Sequence, residues 1–150
     1  WGMDEEQLLS FAYENVQRLI PPQLFLMREI VEETLELGRR KPINLFEYPE
    51  NLKGEFMYVL TNSHRNLGAA AILYPGVQKK IAEILNGGYY VIPSSVHEMI
   101  IVPMTESITR KELDQKVNEN VVDPEEILSD HVYIYDAGKE VLQWVFSSRI

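Results

Sequence analysis

The hexapeptide Pro93-Ser94-Ser95-Val96-His97-Glu98 gathers two hydroxyls, an imidazole and a carboxylate. A serine nucleophile needs a base to take its proton and a third group to orient that base, and Ser95, His97 and Glu98 are residue types that fill those roles. On a strand, neighbouring side chains point to opposite faces, so Ser95 and His97 share a face while Glu98 lies on the other. No Gly-x-Ser-x-Gly elbow and no glycine-rich oxyanion loop accompanies them. The competing reading is that the serines and Glu98 satisfy backbone groups at a hairpin tip. Ser95 and His97 are therefore the catalytic candidates, and Asn62, Tyr74, Ser94 and Glu98 are the candidate ligand contacts beside them.

Other strings carry less chemistry. Leu73-Tyr74-Pro75-Gly76-Val77 sits where a strand should meet a helix whose backbone N–H groups would receive an anion, but neither Lys79 nor Lys80 stands in the P-loop position. His64, His97 and His131 lack metal-ligand spacing, and Glu29, Glu32, Glu33 and Glu36 have no histidine at the offset that di-iron bundles use. We expect no metal and no cofactor. The polar, locally cationic stretch Asn62-Ser63-His64-Arg65-Asn66 reads as a turn and is the place to seek a bound anion. Tyr89, Tyr90, Tyr133, Tyr135 and Trp144 fall on expected strands, where they form either a partner surface or a face covered by helices.

Composition narrows the classes. The 150 residues include no cysteine, which removes disulfides, thiolate metal sites and cysteine nucleophiles. The net charge of −9 disfavours nucleic acid. The charge is uneven: residues 1–38 hold 8 acids and 2 bases, 39–104 hold 5 and 7, and 105–150 hold 10 and 5. A polyanion would need Arg39, Arg40, Lys41, Lys53, Arg65, Lys79 and Lys80 on one face. No signal peptide and no apolar run of membrane-spanning length stands out. Residues 1–150 read as one globular domain, and the start at Trp1-Gly2-Met3 reads as that of the C-terminal part of a longer protein.

The elements that must position these residues follow from spacing. Asp4 with Gln7 caps a first helix running to Ile20, with Leu8, Leu9, Ala12, Val16 and Leu19 on one face. Pro21-Pro22 ends it and starts a second helix over 22–37. Residues 39–55 read as a long loop that either covers something or has a function. Residues 56–62 and 68–74 read as a hairpin, with Gly68, Ala69, Ala70 and Ala71 as a helical alternative. A helix opens at Pro75 and stops at Gly87-Gly88. Residues 89–93 and 96–103 form a second hairpin across Ser94-Ser95. Thr109 with Glu112 caps a helix over 110–120, and a helical turn follows at Asp123-Pro124-Glu125. A last hairpin turns at Asp136-Ala137-Gly138. The expected fold is α+β, an antiparallel or mixed sheet of hairpins with helices in the order ααββαββαββ.

Several strings resemble an uncharacterised domain-of-unknown-function family of bacteria of the anaerobic gut type. They are Tyr58-Val59-Leu60-Thr61-Asn62, Gly68-Ala69-Ala70, Leu73-Tyr74-Pro75-Gly76-Val77 and Ile92-Pro93-Ser94-Ser95-Val96-His97-Glu98. Trp1-Gly2 with its acidic helix and Leu128-Ser129-Asp130 before an aromatic strand are similar too. The resemblance implies a cytoplasmic bacterial protein with a further N-terminal portion, and it implies no activity. The leading expectation is a non-enzymatic domain that binds another protein or its own upstream domain, with oligomeric state open. The alternative is a hydrolase or small-ligand site around Ser95 and His97.

Overall fold

The computed structural model describes residues 2–37, 41–52, 57–104 and 132–145. The expected helix over 110–120, its cap, the turn at 123–125, His131 and the 128–130 string lie outside the described residues. The described elements are helices α1 (Glu5–Leu19), α2 (Met27–Thr34) and α3 (Val77–Leu85), and strands β1 (Pro22–Leu26), β2 (Tyr58–Asn62), β3 (Tyr89–Ser95), β4 (Glu98–Pro103), β5 (Val132–Asp136) and β6 (Val141–Val145). The strands form one sheet in the order β1-β2-β4-β3-β5-β6, and every neighbouring pair is antiparallel. The α+β class holds.

The expected second helix over 22–37 is corrected at its start. Pro22–Leu26 is an edge strand paired with β2 from Pro22↔Asn62 to Leu26↔Tyr58. Strand alternation places Leu24 and Leu26 in the main core while Phe25 is buried apart from it. A helix would set Leu24 and Leu26 on nearly opposite sides. An edge position also tolerates the missing N–H of Pro22. The helix begins only at Met27, whose N–H donates to the Met57 carbonyl (3.1 Å).

The expected hairpin partner at 68–74 is likewise corrected. Gly68–Leu73 is a 3-10 helix. With three residues per turn, side chains three apart lie in one line. Leu67, Ala70 and Leu73 accordingly line the exposed side, while Ala69 and Ile72, with Gly68 and Ala71, are buried. Gly68 has no room for a side chain, because an added Cβ would lie 2.7 Å from both the Asn62 nitrogen and the His97 oxygen. β2 pairs instead with β1 and β4.

The other two hairpins form as expected. In β3–β4 the turn falls at Val96-His97, two residues later than Ser94-Ser95, because the Ser95 hydroxyl accepts the His97 N–H (3.1 Å) and closes it. The register slips between Pro93 and Ser95, a bulge that accommodates a proline within the sheet. In β5–β6, Asp136 Oδ1 accepts the N–H groups of Gly138 (2.9 Å) and Lys139 (3.1 Å).

The main core lies between one sheet face and α3 with the 3-10 helix. Val77 and Ile81 of α3 are almost fully buried. The Tyr89 hydroxyl donates to the Gln78 carbonyl (2.8 Å), tying sheet to helix. Its ring stacks on Tyr135 at 5.0 Å between centroids. Tyr89 and Tyr135 are therefore core residues rather than a partner surface. Burial pushes the Tyr89 phenol upward, with Tyr135 adding to the shift. Residues 41–52 do cover an edge: the Leu45 N–H donates to the Leu24 carbonyl (2.8 Å) and Asn44 Oδ1 accepts the Leu24 N–H (3.1 Å). These bonds occupy polar groups that an edge strand otherwise leaves open.

Candidate functional site

Of the residues singled out from the sequence, Asn62, Ser95 and His97 lie at one corner of the sheet, where the loop after β2 meets the β3–β4 turn. Asn62 ends β2 and is buried. Its Oδ1 accepts the N–H groups of His64 (3.1 Å) and Asn66 (3.3 Å), and its Nδ2 donates to the Asn66 carbonyl (2.8 Å). The side chain thus replaces backbone partners for its own loop, as short amide side chains do in turns.

His97 lies across from that loop, and its Nδ1 accepts the Leu67 N–H (3.0 Å). The Thr61 hydroxyl donates to the His97 carbonyl (2.8 Å), and the Ala69 N–H donates to the Val96 carbonyl (3.1 Å). Because Nδ1 accepts, the neutral ring carries its proton on Nε2. The hydrolase arrangement needs a ring nitrogen at a serine hydroxyl. A bond between Ser95 and His97 runs from the His97 backbone N–H to Ser95 Oγ. Ser94 is half-buried at the bulge. Glu98 is half-buried at the start of β4, and burial raises its pKa, partly offset by His97 and Arg65.

This corner fastens an apolar ridge. Arg65 and Leu67 both adopt left-handed backbone (φ 51° and 54°), a conformation that costs residues with a Cβ on the order of 1–2 kcal/mol each. The Asn62 and His97 bonds hold them there. Leu67 is 61% exposed and Leu73 59% exposed. Grooves flank the ridge on both sides. One, of about 460 Å³, lies between the ridge and α1, where Leu9, Ala12, Tyr13 and Val16 face Ala70 and Tyr74. The other, of about 590 Å³, lies between the ridge and the sheet, with Val91, Pro93, Met99, Tyr133 and Leu142 on its far bank. Asn62, His64 and Tyr74 line the first groove, where burial raises the Tyr74 phenol.

Helix α1 contributes apolar surface without burying any of its residues. Its capping box forms as expected: the Gln7 N–H donates to Asp4 Oδ1 (2.8 Å) and the Asp4 N–H to Gln7 Oε1 (3.3 Å). Leu8, Leu9, Phe11 and Leu19 are each at least half exposed. The sequence reading named polar residues of this corner, as candidates for chemistry, but not the ridge beside them. The signal for the ridge was the three-residue spacing of Leu67, Ala70 and Leu73.

Among the described residues, no group of three or more His, Asp or Glu side chains is placed to hold a metal ion. No helix among them is long and apolar enough to cross a membrane. Comparison with known proteins finds no matching curated protein and no matching solved structure. A family model does match, over residues 1–137, which is most of the chain. With that span covered, the chain belongs to a family of unknown function, DUF5688.

Proposed function

We propose that this chain is a protein-interaction domain that receives an amphipathic helix along the Leu67–Ala70–Leu73 ridge. The observation that carries this reading is the pair of apolar grooves on either side of two exposed leucines. Contiguous exposed apolar surface of this kind marks interaction sites, and a groove takes a helix through apolar residues at helical spacing. Charge defines the partner further. Helix α1, one wall of the first groove, carries Glu5, Glu6 and Glu14 behind its Asp4 cap, against Arg18. The partner helix therefore pairs an apolar stripe with basic flanks. It belongs to another protein or to a domain upstream in the same protein, and the proposed setting is a bacterial cytoplasm. In this reading Ser95, His97 and Asn62 act by holding the ridge in place.

The test is a titration of the isotope-labelled protein with a leucine–lysine amphipathic peptide, followed by amide chemical shifts. Shifts at 67–74 are expected with a Kd on the order of tens of micromolar, weakened at least about tenfold by Leu73→Glu. A peptide with the same stripe and acidic flanks serves as control. Equal binding of both peptides, or binding unchanged by Leu73→Glu, overturns the proposal.

A further inference from the structure

A further cleft, separate from the apolar ridge, opens beyond the outer edge of β1 with a volume of about 700 Å³. The covering segment 41–52, helix α2 and the turn after β2 wall it. Arg65 is held on two sides. The guanidinium carbon lies 5.1 Å from the centroid of Phe25, a ring held in the sheet at 3% exposure, and Nη1 pairs with Glu33 Oε2. A guanidinium carries five N–H donors in a fork, so Arg65 can hold a ligand carboxylate bidentately once Glu33 gives way. The side chains of Arg65 and Glu33 are 41% and 38% exposed. A pair so open to water is weakly held and readily exchanged.

Two further features bear on a ligand. Arg65 holds left-handed backbone, to which arginine has no intrinsic tendency, and backbone strain of this sort concentrates at binding sites. Among the described residues the charges also balance: Lys41 and Arg65 line the cleft together with Glu33 and Glu47, and Ser63, Asn51 and Gln23 add neutral polar groups. A multiply charged anion gains little in such a field. A molecule carrying one charge of each sign gains at both ends, and the volume is within the ordinary range for small-molecule sites.

We infer that this cleft binds a small zwitterion, an amino acid or short peptide, whose carboxylate takes the place of Glu33 on Arg65 while its ammonium group is received by the acidic side chains. The expected anion site at the 62–66 turn thus becomes half of a two-charge site.

The experiment titrates the whole chain with a panel of the common amino acids and dipeptides, reading amide shifts and heats of binding. Backbone shifts at Ile43, Asn44 and Ser63–Arg65 are expected, with Kd values between about 10 μM and 1 mM. N-acetyl and C-amide derivatives of the tightest ligand each bind at least about tenfold more weakly, as does Arg65→Gln, while Arg65→Lys restores part of the loss. Leu73→Glu leaves this binding unchanged, which separates it from the ridge. No response at about 10 mM, an equal response to acetate or phosphate alone, or affinity unchanged in Arg65→Gln overturns the inference.

Discussion

Gly68 is the residue on which the site corner depends most directly. The 3-10 helix crosses the end of β2 so closely that a Cβ would meet Thr61 Oγ1 and two backbone atoms. Gly68→Ala is therefore expected to cost more than about 2 kcal/mol, read from denaturant unfolding, because backbone cannot yield as a flexible side chain does. Glu98 gives a pH-dependent counterpart. Burial raises its pKa above the ordinary carboxyl value, so the folded chain holds that proton more tightly than the unfolded chain. The associated stability is fully present below the unfolded value near about 4.3 and is lost as pH rises through the folded pKa. Glu98→Gln is thus expected to stabilise the protein at pH 7, with the gain shrinking as pH falls. Urea unfolding between about pH 4 and 8 checks the sign. A gain that is largest in acid contradicts it.

At the scale of elements, the ridge and α1 separate local preference from tertiary demand. Leu67 occupies a left-handed position that asparagine accepts more readily. Leu67→Asn is expected to leave thermal stability unchanged or higher while removing exposed apolar surface, which a melting curve tests. Helix α1 carries its own capping box yet buries none of its residues. Removing residues 1–19 is expected to lower the unfolding free energy by less than about 2 kcal/mol while leaving the sheet's circular dichroism intact. In contrast, Tyr89 joins α3 to the sheet, and Tyr89→Phe is expected to cost about 1 kcal/mol by leaving the Gln78 carbonyl without that donor. The α1 cap and the β5–β6 turn were legible in the sequence because each closes through bonds between residues a few positions apart. The expected helix at 22–26 and strand at 68–73 failed for the converse reason. Pro22 suits a helix start and Gly68–Ala71 are ambiguous, and local propensity cannot see β2 waiting to pair with one and underlie the other.

For the whole molecule, the sheet order places β2 beside β4 and β5 beside β3, so the central β3–β4 hairpin is flanked on both sides by strands distant in the chain. Such pairings pay loop-closure entropy before they gain contacts, and refolding is expected on the millisecond-to-second scale by stopped-flow fluorescence. The Ser95–His97 candidate shows where sequence reading of the site reached its limit. Residue types and spacing suggested nucleophilic chemistry, but strand alternation does not govern His97 once it lies in a turn, and its Nδ1 meets a loop far along the chain. What the sequence determined by itself was what adjacent residues settle: the class of fold, two hairpins, a helix cap, the absence of thiol chemistry and the acidic flanks around a more basic centre. Only the tertiary structure decided that β1 is a strand, that residues 41–52 cover its edge, and that Leu67, Ala70 and Leu73 face outward together. Those outcomes rest on burial and hydrogen bonds supplied by segments remote in sequence.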